Sequence, residues 1–91
     1  MNLEQAVRRY IVENFLLGED SGLSAAESLL GTGVVDSTGI LELVMFLEES
    51  YGIEVRDEEM LPENLDSIAN IVKFVERKLV GRRVAAQSIA G

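Results

Sequence analysis

The central segment of the chain reads DSTGILELVMFLEESYG over residues 36–52. Its apolar residues recur at intervals of three and four, which predicts a helix over 37–51. Asp36 or Ser37 suits the N-cap, because either side chain can accept a hydrogen bond from the first turn. Gly52 supplies the left-handed residue that commonly ends a helix. The middle of the chain is therefore expected to be one long helix, whose apolar side the rest of the chain must cover.

The two sides of this helix differ in composition. Projected at about 100° per residue, the side expected to be buried contains Ile40, Leu43, Leu47 and Tyr51. The opposite side contains Leu41, Glu42, Met45, Glu48 and Glu49. Val44 and Phe46 lie on the two flanks, where the pattern leaves burial open. A helix face that only contacts solvent is not expected to include large apolar side chains such as Leu41 and Met45. The pattern therefore favours an exposed face that binds a partner.

The same periodicity predicts two further long helices. The first covers residues 3–17 and is ended by Gly18. The last has Asp66 at its N-cap, basic residues in its C-terminal half and Gly81 at its end. We therefore expect an all-α fold, a small four-helix bundle of three main helices and one short helix.

The connections complete this arrangement. Pro62 predicts the short helix near 62–65, because proline is tolerated in a first helical turn. Residues 18–36 form a long loop between helices one and two, anchored to the core by apolar side chains at Leu29, Leu30, Val34 and Val35. Residues 1–80 are expected to form the domain, and residues 81–91 a flexible C-terminal tail.

Composition excludes several classes of protein. The chain has no His and no Cys, which excludes Ser-His-Asp and Cys-His catalysis, disulfide bonds and thiolate zinc sites. Lys and Arg number 8 against 16 Asp and Glu, a net charge of −8, so no nucleic-acid partner is expected. No apolar run approaches the roughly 20 residues that span a bilayer, and no signal-peptide pattern is present. We expect a cytoplasmic monomer that binds no membrane.

The start of the central helix is the candidate site, and two interpretations of it stay open. In one, Ser37 is only a helix cap, and the protein is an unmodified acidic helical module that binds other proteins. In the other, the unpaired N–H groups and partial positive charge of the helix start hold a phosphate attached to the Ser37 hydroxyl. Gly39 would then thin the surface beside the serine and leave room for an enzyme.

The chain resembles an acyl carrier protein from its first helix through Val75. The resemblance rests on DS at 36–37, ELVM at 42–45, LEE at 47–49 and YGIEV at 51–55. The Asp-Ser-Thr-Gly form of residues 36–39 is more similar to stand-alone carriers of dedicated pathways, which include carriers of amino acids.

The resemblance implies that Ser37 is esterified with 4′-phosphopantetheine, donated by coenzyme A through a phosphopantetheinyl transferase. The terminal thiol of this group would hold an acyl or aminoacyl load as a thioester, for enzymes of fatty-acid, polyketide or other specialised biosynthesis. Asp36 would help to position the metal and coenzyme A in the transferase complex. The protein itself would be a carrier without catalytic residues or a metal site.

The resemblance and the helix projection together predict two further sets of residues. One is a face that docks basic patches on the enzymes that load and process the acyl group: Leu41, Glu42, Val44, Met45, Glu48 and Glu49. The other would wall an acyl cleft between the second and the last helix: Leu43, Leu47, Ile53, Val55, Ile68 and Ile71.

Overall fold

The computed structural model describes residues 2–16, 18 and 22–90, with residues 82–90 described by their backbone. Its elements are α1 (Leu3–Phe15), α2 (Ser37–Tyr51), a 3₁₀ turn at Asp57–Glu59, α3 (Pro62–Leu65) and α4 (Ile68–Ala90). These residues include no β-strand, which confirms an all-α fold of three long helices and one short helix. Within the same residues, no helix combines the length and apolar character needed to cross a bilayer.

The first helix begins at a capping box formed by Asn2 and Gln5. The Gln5 N–H donates to Asn2 Oδ1 at 2.8 Å, and the Asn2 N–H donates to Gln5 Oε1 at 3.4 Å. The helix ends at Phe15 rather than at 17. Gly18, at φ 83°, donates its N–H to the Val12 carbonyl at 2.9 Å. The last turn of α1 therefore closes earlier than the apolar period alone predicts.

The core is aliphatic except for Phe74 and lies where α1, α2 and α3 pack against α4. Its most completely buried side chains come from each of the four helices and from the loop before α2: Val7, Ile11, Leu29, Val35, Leu43, Leu47, Leu65, Ile68, Ile71, Phe74 and Val75. Full burial of one such side chain contributes about 1.5–3 kcal/mol of transfer free energy. The last four belong to α4, which is therefore the helix on which the others pack.

The long loop before α2 is anchored by fewer of its predicted side chains than expected. Leu29 and Val35 are buried, and Leu23, which the periodicity did not single out, is buried with them. Val34 is half-buried. Leu30 is 40% exposed, so the expectation that it anchors the loop is wrong. Adjacent residues of an irregular segment point in different directions, and only the tertiary structure selects which of them is covered.

Asp66 ties this loop to the start of α4 and does not cap that helix. The Ser28 hydroxyl donates to Asp66 Oδ2, and the Leu30 N–H donates to Asp66 Oδ1 at 2.8 Å. The helix start is capped by Ser67 instead, whose Oγ accepts the N–H of Asn70 at 3.1 Å. The prediction of Asp66 as N-cap is therefore wrong, because its carboxylate is already engaged by donors from a distant segment.

The last helix continues through Gly81 to Ala90, whereas the sequence predicted its end at Gly81. A glycine inside a helix costs only about 1 kcal/mol relative to alanine. Residues 82–87 read RRVAAQ, in which strong helix formers predominate. The division into a domain of residues 1–80 and a flexible tail of residues 81–91 stays a prediction.

The acidic turn at residues 57–59 is attached to α4 by an ion pair. Lys78 Nζ donates to Glu59 Oε1 at 2.8 Å, and the Arg56 N–H donates to the same oxygen at 3.0 Å. The hydrogen bond from Lys78, followed by that from Arg56, lowers the pKa of Glu59 below its ordinary value. In the described part of the chain, no three acidic side chains are grouped so that they could hold a metal ion.

Candidate functional site

The N-cap of α2 is Asp36, and this leaves the Ser37 hydroxyl free of a structural role. Asp36 Oδ1 accepts the N–H of Gly39 at 2.7 Å, and the Asp36 carbonyl accepts the N–H of Ile40 at 2.9 Å. Ser37 is the first residue of the helix and is exposed. Its hydroxyl forms no hydrogen bond with any residue that the structure describes. The sequence left the cap open between these two residues, and the geometry assigns it to Asp36.

Gly39 lies beneath the helix start instead of thinning the exposed surface. It is buried, and a Cβ added to it would lie 2.8 Å from Phe15 Cε1 and 2.9 Å from Val35 Cγ1. The expectation that Gly39 leaves room for an enzyme is therefore wrong, because α1 and the end of the loop occupy that space. The glycine instead allows the start of α2 to pack closely against both side chains. This contact sets the position from which Ser37 projects.

An apolar pocket of about 340 Å³ opens beside Ser37. It lies between the start of α2 and the segment around α3, and it is lined by Leu30, Ser37, Ile40, Leu41, Met60, Leu61, Pro62, Leu65 and Asp66. Three of the lining leucines are exposed, Leu30 at 40%, Leu41 at 53% and Leu61 at 42%. Large apolar side chains that gather at a surface mark a contact site for a ligand or a partner.

The six residues predicted to wall an acyl cleft lie elsewhere, in the closed core: Leu43, Leu47, Ile53, Val55, Ile68 and Ile71. All six are buried, and none of them lines the pocket beside Ser37. The sequence carried one signal for that pocket, the apolar Leu41 on the acidic side of α2. Met60 and Leu61 also line that pocket, but only the tertiary fold brings them beside Leu41. An acyl cleft between the predicted six residues stays a prediction.

The outer side of α2 contains four of the six residues predicted for the partner face. These four are exposed: Leu41, Glu42, Met45 and Glu49. Glu48 is half-buried and accepts the N–H of Val55 at 3.0 Å. Val44 is 3% exposed, because the core extends to this flank of α2. The structure therefore places Val44 inside the protein, while a role of this face in partner binding stays a prediction.

The fold and the site define a small helical protein that presents an exposed serine at a helix start, beside an apolar pocket. No family model matches the chain, but curated relatives do. The chain is 32% identical over 75 residues to the probable acyl carrier protein PigG of Serratia sp., covering 82% of this chain and 86% of that protein. An acyl carrier protein of Akkermansia muciniphila is 37% identical over 76 residues, which cover 84% of this chain and 91% of the relative. One of Campylobacter hominis is 36% identical over 76 residues, covering 84% and 92% of the two chains.

The chain belongs to the acyl carrier protein family, as the resemblance in its sequence indicated. Acyl carrier proteins are carriers rather than enzymes, which confirms the prediction of a carrier without catalytic activity of its own. Members of the family interact with biosynthetic enzymes, and membership implies a phosphopantetheine prosthetic group.

Proposed function

We propose that this protein carries acyl or aminoacyl groups on a 4′-phosphopantetheine arm attached to Ser37. It delivers them to partner enzymes of fatty-acid, polyketide or other specialised biosynthesis. The observation that carries the proposal is the exposed Ser37 hydroxyl, unbonded within the described structure and directly beside an apolar pocket. When attached, the arm supplies a terminal thiol that binds the load as a thioester. Because the chain has no cysteine, that thiol is the one point of attachment.

The start of α2 suits a phosphodiester on Ser37. Asp36 accepts the N–H groups of Gly39 and Ile40. The N–H groups of Ser37 and Thr38 precede the first helical hydrogen bonds, and no described residue accepts them. Together with the positive end of the helix dipole, these two donors favour a negatively charged phosphate at this position.

Attachment uses a phosphopantetheinyl transferase, with coenzyme A as the donor. The Ser37 oxygen forms a bond to the phosphorus that bears the pantetheine arm, and the bond from that phosphorus to the nucleotide phosphate breaks. The hydroxyl proton passes to a base of the transferase. Asp36 uses Oδ1 for the cap, and its carboxylate would help to position the metal and coenzyme A in the transferase complex.

The pocket beside Ser37 gives the arm and an aliphatic load a surface to contact between deliveries. Exposed Leu30, Leu41 and Leu61 are covered in such a contact, and each Å² of apolar surface removed from water contributes about 25 cal/mol. The same contact does not bind a polar load as strongly. A replacement of Leu61 by serine is therefore expected to weaken the protection of a fatty acyl load more than that of an aminoacyl load.

The decisive experiment is an intact-mass measurement after incubation with coenzyme A and a transferase of broad specificity. The wild-type protein should gain the mass of one phosphopantetheine. Ser37→Ala should gain none, and Thr38→Ala, which removes the neighbouring hydroxyl, should gain the group as the wild type does. A gain that survives Ser37→Ala, or no gain in the wild type, overturns the proposal. The second result would leave an unmodified acidic interaction module.

A second measurement separates the two roles of Asp36. Asparagine caps a helix about as well as aspartate, whereas alanine loses about 1 kcal/mol. Asp36→Asn should therefore keep the stability of the wild type but slow the transfer of phosphopantetheine to Ser37. Asp36→Ala should both lower the stability and slow the transfer. Transfer by Asp36→Asn at the wild-type rate would show that the carboxylate charge has no part in attachment.

A further inference from the structure

The charge of this acidic chain reverses sign along α4. Five of the eight basic residues follow Val72, against one of the sixteen acidic residues, Glu76. The five are Lys73, Arg77, Lys78, Arg82 and Arg83. The attachment proposed at Ser37 uses none of them. The basic part of α4 is therefore a surface whose role the carrier proposal does not explain.

An open groove lies along this part of α4. It has a volume of about 580 Å³ and is lined by Lys73, Glu76, Arg77, Val80 and Gly81; we call these five residues the basic groove. The last four lie three, four, seven and eight residues beyond the first, so all five share one side of the helix. Each of them is exposed, and Val80 is 58% exposed. The groove thus combines cations with an apolar contact surface.

The positive charge of the groove is not neutralised by the fold. Arg77 Nη2 donates to Asn64 Oδ1 at 3.0 Å, and Arg77 Cζ lies 5.9 Å from the centroid of the Phe74 ring. Both partners are uncharged, so they hold the guanidinium in place and leave its charge available. Neither Arg77 nor Lys73 forms an ion pair with a described residue, the neighbouring carboxylate of Glu76 included. An anion that enters the groove therefore meets two available cations.

The charge of the rest of the chain restricts the class of anion that can bind. The net charge is −8, and a nucleic acid or an anionic membrane is a long, densely negative surface that would repel the acidic remainder of the protein. A short acidic segment of a protein brings only a few carboxylates to the groove. At physiological ionic strength, acidic residues more than about 8 Å from those carboxylates are largely screened. The exposed Val80 favours a segment that also has an apolar side chain.

We propose that the basic groove binds an acidic segment of a partner protein. The inference deepens the proposed carrier function, on which the nature of that partner rests. The Arg77 guanidinium has further N–H groups besides the one that Asn64 accepts, and a carboxylate can accept two of them. Lys73 supplies a second cation one helical turn away. Val80 contacts the apolar side chain of the segment.

The groove lies far along α4 from the attachment site. Asp66, just before α4, lines the pocket beside Ser37. Arg77 and Val80 lie nine and twelve residues beyond Ile68, the first residue of α4, or about 14 and 18 Å along the helix axis. A partner bound in the groove therefore leaves Ser37 accessible to an enzyme. Such a tether raises the effective concentration of the carrier at any enzyme linked to that partner.

The test is an NMR titration of the unmodified carrier with two capped pentapeptides, Glu-Glu-Leu-Glu-Glu and Gln-Gln-Leu-Gln-Gln. The acidic peptide should shift the amide resonances of the basic groove and bind at least about fivefold more tightly than the neutral peptide. Lys73→Gln should weaken its binding about two- to fivefold, as expected for one exposed ion pair. Arg9→Gln, which removes an exposed cation of α1 outside the groove, is the matched control and should bind as the wild type does. Equal binding of the two peptides, or equal losses in the two variants, overturns the inference.

A second titration tests the class of partner. Vesicles of phosphatidylcholine with phosphatidylglycerol should not bind the carrier, because the acidic domain is repelled by their surface. Vesicle binding that is lost in Lys73→Gln and kept in Arg9→Gln would show that the groove serves an anionic lipid, and the proposal of a protein segment would be wrong.

The transferase assay separates this inference from the proposed function. An excess of the acidic peptide should leave the rate of modification of Ser37 unchanged, and a slower rate would refute the tether. If the wild type is never modified but still prefers the acidic peptide, the carrier proposal fails and the groove remains a site for acidic segments. If modification is normal while Lys73→Gln and Arg9→Gln bind the peptide alike, the groove proposal fails and the carrier proposal stands.

Discussion

Replacement of Gly39 by alanine is expected to destabilise this protein, although alanine is the better helix former. At an open helical position the change stabilises a protein by about 0.5–1 kcal/mol. At Gly39 the new methyl group would lie 2.8 Å from Phe15 Cε1, 2.9 Å from Val35 Cγ1 and 3.3 Å from Asp36 Oδ1. The two carbon contacts are at least about 0.6 Å shorter than the optimal separation of about 3.5 Å. One or more of these neighbours must therefore move.

The cost of that movement decides the sign of the effect. Overpacking a well-packed site costs about 1–3 kcal/mol. Phe15 is half-buried and can yield outward, whereas Val35 is buried in the core and cannot move without opening a gap. Because buried Val35 cannot yield, the upper part of that cost applies, about 2–3 kcal/mol. After about 1 kcal/mol of helix propensity is subtracted, Gly39→Ala should lose about 1–2 kcal/mol. For a domain of this size, that corresponds to a fall in Tm of about 5–10 °C.

Urea unfolding followed by far-UV circular dichroism measures this loss, and Gly81→Ala is its control. Gly81 lies inside α4, where an added Cβ meets nothing within 4 Å. The same substitution there should stabilise the protein by about 0.5–1 kcal/mol. A Gly39→Ala protein as stable as the wild type would refute the packing argument, and a destabilised Gly81→Ala protein would refute the helical placement of residue 81.

Three further predictions concern the ties between the loops and α4. The hydrogen bonds from Lys78 and from the Arg56 N–H lower the pKa of Glu59. The ionised form of Glu59 therefore stabilises the fold above the ordinary pKa of 4.5. This contribution is lost as the pH falls through the lowered pKa. Glu59→Gln should therefore cost about 1 kcal/mol at neutral pH and progressively less as the pH falls below 4.5, which urea unfolding over a series of pH values can show. Asp66→Ala removes the acceptor of the Ser28 hydroxyl and of the Leu30 N–H; it should cost about 2 kcal/mol and speed hydrogen exchange of the Leu30 amide. Leu29→Ala should cost about 3 kcal/mol, whereas Leu30→Ala, beside it but exposed, should stay within about 0.5 kcal/mol in the same unfolding assay.

The features that the sequence predicted correctly are governed by neighbouring residues. The bounds of α2, 37–51, and of α3, 62–65, agree with the structure, because apolar period, caps and the proline preference act within one or two turns. The exposure of Leu41 and Met45 was predicted from the same projection. Ser37 was identified as the candidate site for a similar reason, since its position at a helix start depends on the residues around it.

The features that the sequence could not show depend on segments far apart in the chain. The sequence predicted Asp66 as a helix cap, but its carboxylate accepts hydrogen bonds from donors 36 and 38 residues earlier in the chain. The sequence predicted that Gly39 would thin the exposed surface, whereas in the structure Phe15 of α1 packs against Gly39. The pocket beside Ser37 needs Leu61 from the segment before α3, and the cavity beside Glu42 and Met45 needs Tyr10 from α1. Local sequence thus determined where the helices form and which serine begins α2, whereas the ends of α1 and α4 and the surfaces around that serine were decided by the folded chain. Those surfaces come from packing between helices, which no local pattern encodes.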